Sequence, residues 1–147
     1  MSLTVSCILN AKGREVATIA PEASIAVAAD MLAQQNLGAL VVSSDGRRVQ
    51  GIVSERDLVA RLAARGAACL KGTVAELMNS DVTSCMPGST CDELMRSMTQ
   101  GRFRHVPVLV DGELAGIISI GDVVKARLDE LEVQAEALEQ YVTGSLA

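Results

Sequence analysis

The sequence predicts an α/β fold of two pseudo-symmetric β-α-β-β-α repeats, with small sheets packed around a central cleft and an extended C-terminal helix. Three observations predict it. First, the chain repeats itself: at an offset of 66, Pro21 falls on Pro87, Val16 on Val82, Gln34 on Gln100, Val42 on Val108 and Asp45-Gly46 on Asp111-Gly112. Second, strand-like and helix-like stretches follow in the same order in both copies. Third, after a one-residue slip, the heptapeptide from Gly51 to Asp57 falls on the one from Gly116 to Asp122. A fixed internal period is the mark of a duplicated supersecondary unit that buries its apolar face against its neighbour. Two copies close on each other and leave a cleft between them.

In the first copy, residues 16–19 form a β-rich run stopped by Pro21, which has no amide to donate to a ladder. Ser24 then caps a helix whose apolar positions Ile25, Ala28, Ala29, Leu32 and Ala33 keep helical spacing. Residues 39–42 and 49–53 are strands joined through the turn at Asp45-Gly46. Ser54 opens a second helix that Gly66 ends. The second copy repeats this with strands at 82–85, 105–110 and 114–119, a helix over 90–100 and another from Ser119. Between the copies, Thr73 and Glu76 have the spacing of a capping box for a short linking helix. The division is therefore 1–72 for an N-terminal segment plus repeat one, 73–125 for the link plus repeat two, and 126–147 for a helical extension. In that extension Leu128, Leu131, Ala135, Leu138 and Val142 make a 3-4-3-4 apolar seam, with Glu130, Glu132, Glu136 and Glu139 on the wet side. Such a seam packs on its own domain or crosses to a partner subunit.

At 147 residues the chain is long enough to bury about 70% of its unfolded surface. With one Phe, one Tyr and no Trp, its core must be aliphatic. The near absence of rings argues against single-stranded nucleic-acid binding, which stacks bases on aromatic faces. A net charge of −5 argues against phosphate-backbone binding. No apolar run reaches bilayer length and no leader-like N-terminus is present, so a soluble cytoplasmic protein is expected. Cys7, Cys69, Cys85 and Cys91 form no CxxC pair, and His105 is the sole histidine, so no metal site is expected and the thiols are read as reduced.

The duplicated heptapeptide carries the chemistry. Its Ser caps a helix and its Asp lies in the first helical turn, where the helix dipole favours a carboxylate. Read singly, Ser-x-x-Asp is only a cap. Two copies at the mouth of one cleft suggest more: a fixed carboxylate can accept hydrogen bonds from the vicinal hydroxyls of a ribose, beside helix amides that face an anion. Gly38 and Pro107, in the strands after each first helix, are expected to leave backbone groups free for a flat polar ring.

These residues resemble a tandem pair of cystathionine-β-synthase (CBS) domains of the small stand-alone bacterial kind, over residues 16–125. Both copies keep the family's Gly-h-x-Ser-x-x-Asp pattern, and the stretch from Phe103 to Val108 resembles its other motif, with Pro107 in the usual place. Copy one departs there, with Val41 where proline is typical. The resemblance implies a regulatory sensor of adenosine-containing ligands (AMP, ADP, ATP, NAD(H) or S-adenosylmethionine), without turnover, acting on another protein as a homodimer. Asp57 and Asp122 would then hold ribose hydroxyls, with Ser54, Ser119 and Gly121 near ribose or phosphate. Ala39, Leu40, Val41, His105, Val106 and Pro107 would line the adenine pocket, opposite the backbone of Thr18, Ile19, Ser84 and Cys85. Arg56, Arg104 and Lys12 are candidates for the phosphates, because guanidinium groups bind them bidentately. The competing readings are a ligand-free dimerisation scaffold and, more remotely, a thiol enzyme using Cys85 and His105.

Overall fold

The computed structural model describes residues 3–144. Repeat one contains β1 (Thr18–Ile19), α2 (Ile25–Gln34), β2 (Ala39–Val42), β3 (Gly51–Ser54) and α3 (Glu55–Arg65). It is preceded by α1 (Val5–Lys12) and followed by a 3-10 turn over Ala67–Lys71 and a short α4 (Val74–Leu77). Repeat two contains α5 (Cys91–Gly101), β4 (His105–Val110), β5 (Glu113–Ser119) and α6 (Ile120–Gly144). Ser24, Ser54 and Thr90 cap their helices through side-chain oxygens, as their positions predict.

In the first sheet β1 runs parallel to β2, which pairs antiparallel with β3. In the second, β4 and β5 pair antiparallel, and the expected strand at 82–85 is reduced to one parallel bridge from Cys85 to Val108. Pro107 explains the loss. In repeat one the Val41 amide donates to Ala17 O, and the 66-residue offset maps these onto Pro107 and Thr83. Proline has no N–H, so that rung cannot form. Only Cys85 N to Pro107 O and Leu109 N to Cys85 O remain.

Two features depart from expectation. Thr73 does not form its side-chain cap. The first amides of α4 instead leave the helix altogether, Val74 N donating to Ala23 O and Ala75 N to Pro21 O. The N-terminal segment is also a helix, α1, and it packs on repeat two rather than repeat one. Val5, Ile8 and Leu9 share a core with Leu94, Val106, Val108 and Ile118. Val74 and Leu77 of α4 join the repeat-one core of Ile25, Leu32, Leu40 and Val53. Each leading helix thus serves the other repeat, through matching backbone bonds: Val5 N to Ser89 O and Cys91 N to Leu3 O against Val74 N to Ala23 O and Ile25 N to Gly72 O.

The exchange explains the motif glycines. A Cβ on Gly116 would lie 2.8 Å from Leu9 Cδ2, and one on Gly51 would lie 2.7 Å from Met78 Sδ. Helix α6 sets only Val123 and Ala126 fully into the core. Beyond them the seam is exposed, Leu128 by 60%, Leu131 by 44%, Leu138 by 64% and Val142 by 55%. Glu130 is the exception among the acids expected in water, with its side chain only 9% exposed and Oε2 accepting from Arg127 Nη1 at 3.0 Å. It stands four and seven residues after Ala126 and Val123, on the face turned toward the body.

Candidate functional site

A cleft of about 600 Å³ opens between the repeats, within the size range of small-molecule sites. Repeat one supplies Gly38, Ile52, Ser54, Glu55, Arg56 and Asp57. The link after α4 adds Asn79, Asp81 and Thr83, and repeat two adds the run from Gly101 to His105. Ser54, Arg56, Asp57, Arg104 and His105 are brought together here. Arg102 and Phe103 were not among the expected site residues, although Phe103 opens the stretch that resembles the family's second motif and Arg102 directly precedes it.

Asp57 and Ser54 form a reciprocal cap. Asp57 Oδ2 accepts from Ser54 N and Ser54 Oγ, both at 2.9 Å, while Asp57 N donates to Ser54 Oγ at 3.2 Å. Among the described residues, no hydrogen bond engages Asp57 Oδ1. Of the first three amides of α3, Glu55 N is also spent, on Gly38 O at 3.0 Å. Repeat two has the same cap, with Ser119 N donating to Asp122 Oδ2 at 2.8 Å and Asp122 N to Ser119 Oγ at 3.1 Å. Its Ile120 amide is spent on Arg104 O, so Gly121, the second residue of α6, stands between two occupied donors.

The two aspartates differ in what else they meet. Lys12 Nζ donates to Asp122 Oδ2 at 2.6 Å and to Ile117 O at 2.9 Å. Burial opposes ionisation of Asp122, but Lys12 and the Ser119 amide outweigh it and hold the carboxyl below its ordinary range. Lys12, a phosphate candidate by sequence, is therefore a counter-ion within the protein. The exchanged helices relate Thr4-Val5 to Thr73-Val74 at an offset of 69, and the same offset puts Asp81 at the place of Lys12. The Asp57 cleft thus receives a second acid where the Asp122 motif receives a lysine.

Ala39, Leu40, Val41, Val106 and Pro107 have buried side chains, and Leu40 and Val106 belong to the two cores. Ile19 is buried as well, Thr18 is half-buried, and Ser84 is exposed outside the cleft lining. The backbone expected to be free is used: Gly38 O accepts from Glu55 N and Pro107 O from Cys85 N. Gly38 also lacks positive φ. Its hydrogen side chain instead makes room for His105, whose Nε2 would lie 2.9 Å from an added Cβ. Burial lowers the pKa of His105, against the pull of Asp122 and Glu55. Cys85 is buried enough that its thiol is pushed up to about 11, which leaves little thiolate for catalysis near neutral pH.

Phe103 lines the cleft while packing on the repeat-two core. It folds back over Gly101, where a Cβ would collide with the ring. Among the described residues, the guanidinium groups of Arg56, Arg102 and Arg104 have no hydrogen bond or ion pair. The cleft is therefore bipolar, with Asp57 and Asp81 among its acids and three uncompensated arginines.

The CBS domain family matches residues 12–64 and 74–129, and the chain belongs to it as a tandem pair. The crystal structure of a CBS-domain containing protein from Agrobacterium tumefaciens is 52% identical, with a TM-score of 0.82, covering 85% of this chain and 99% of that one. A CBS domain protein from Pyrobaculum aerophilum, complexed with AMP, is 28% identical with a TM-score of 0.77 over 90% of this chain and 99% of its own. An uncharacterized 17.7 kDa protein of Acidianus ambivalens is 33% identical over 99% of this chain and 85% of its own length. No helix among the described residues is long and apolar enough to cross a membrane.

Proposed function

We propose that this chain is a non-catalytic regulatory module that binds an adenine nucleotide in the Asp57 cleft and passes its occupancy to a partner protein in trans. One observation carries the reading: a single cleft joins a carboxylate with an unengaged oxygen to three arginines without counter-ions. A nucleotide has the matching halves. Asp57 Oδ1 accepts from the ribose hydroxyls, Phe103 and Ile52 flank the base, and Arg56 and Arg104 take phosphate. AMP in the Pyrobaculum relative supports the ligand class, within which AMP, ADP and ATP fit best and NAD(H) extends it. The exposed seam of α6 supports a homodimer. Four free cysteines suit a reducing compartment such as the cytoplasm.

The competing scaffold reading also has an observation in its favour, since both motif aspartates already serve as caps. A thermal-shift panel of AMP, ADP, ATP, NAD, NADH and S-adenosylmethionine separates the two. A ligand at 100 times its dissociation constant adds about 2.7 kcal/mol, roughly 5–10 °C here. Arg104→Ala removes an exposed side chain and should abolish the shift while leaving the unliganded melting temperature within about 2 °C. A flat panel supports the scaffold, and hydrolysis of any nucleotide would contradict a non-catalytic role.

A further inference from the structure

The segment from Gly101 to Arg104 is more specialised than nucleotide binding alone demands. Arg102 closes α5 in a left-handed conformation, at φ 58 and ψ 29, with its amide donating to Met98 O. Few residues other than glycine adopt this region, and asparagine is enriched among those that do. Repeat one obeys the preference: Asn36, at the 66-residue offset, has φ 53. Repeat two places an arginine on the same strained backbone. A strained conformation held by an unfavourable residue type is a mark of functional constraint. The left-handed turn ends the helix where Phe103 folds over Gly101, and Arg102, Phe103 and Arg104 all line the cleft.

Three guanidinium groups are more than a single phosphate requires. One phosphate monoester offers three terminal oxygens and about two charges, which one or two bidentate arginines satisfy. We propose that Arg102, together with Arg104, makes this cleft selective for a nucleoside di- or triphosphate over the monophosphate, Arg102 holding the phosphate farthest from the ribose. This rests on the nucleotide reading above and names the ligand's phosphate number.

The test is calorimetric titration of the full chain with adenosine, AMP, ADP and ATP at fixed ionic strength, repeated with Arg102→Asn. Asparagine is the residue repeat one uses at this φ, so the variant should fold as stably as the parent, which the unliganded melting curve checks. The expected result is ATP and ADP binding at least about tenfold tighter than AMP, the worth of one charge-assisted hydrogen bond. Arg102→Asn should shrink that ratio by about tenfold, and Arg104→Ala should weaken ATP as well. Salt should weaken ATP binding more steeply than adenosine binding. Equal affinity for AMP and ATP in the parent, or an unchanged ratio in Arg102→Asn, overturns the proposal and leaves nucleotide binding standing. If none of the four binds, the nucleotide reading fails and the proposal fails with it.

Discussion

The exchange of leading helices makes a quantitative prediction about Leu9 and Gly116. Leu9 is 1% exposed, and its Cδ2, Cδ1 and Cγ would lie 2.8, 3.1 and 3.5 Å from a Cβ on Gly116. Leu9→Ala deletes these three carbons from the repeat-two core, at a cost of about 2–5 kcal/mol for a buried leucine. At about 2–4 °C per kcal/mol for this size, a mid-range loss of about 3 kcal/mol lowers the melting temperature by roughly 6–12 °C. Gly116→Ala alone forces a methyl against a leucine that its buried neighbours pin in place, an overpacking cost of about 1–3 kcal/mol. Combined, the changes offset each other, because the new methyl enters space the leucine has left. A coupling of about 1–2 kcal/mol in favour of the double variant is expected. Urea unfolding of the four proteins, compared at constant m-value, measures it. Additivity within about 0.5 kcal/mol, or a loss below about 1 kcal/mol for Leu9→Ala, would refute the docking of α1 on repeat two.

Two further outcomes follow from the structure. The carboxyl of Asp122 is held below its ordinary range, so the stability it contributes is present above about pH 4 and is lost as pH falls through its folded value. Lys12→Met should therefore cost less than about 1 kcal/mol at pH 7, given that both groups are partly solvated, and the gap to the parent should narrow as pH falls below about 4. A gap that widens in acid argues against the pairing. For α6, Leu131→Ser with Leu138→Ser removes two exposed seam residues, and sedimentation should show the parent as a dimer and the variant as a monomer; identical sedimentation of the two would contradict a dimer held by this seam.

Much of the architecture was readable because the duplication spells each element twice. Ser24, Ser54 and Thr90 mark helix starts through local hydrogen bonds that depend on a few consecutive residues. The missed α1 also left a signal, since residues from Thr4 to Asn10 align with those from Thr73 to Asn79, but at 69 rather than 66. The period changes because the connection between leading helix and repeat differs in length. The shortened strand at Cys85 was harder to anticipate. Pro107 was visible, but the rung it deletes depends on which carbonyl stands opposite.

The site divides along the same line. Local sequence was enough to name Ser54, Asp57, Ser119 and Asp122 as two equivalent motifs, because a helix cap is completed within four residues. Tertiary structure alone decided that the motifs are not equivalent in use. Lys12 reaches Asp122 from 110 positions away, while Asp81 stands at the matching place beside Asp57. Chain folding likewise carried Arg102, Phe103 and Arg104 to the Asp57 cleft. Charge compensation depends on distance in space, which a symmetric repeat does not encode once its two leading helices carry different side chains.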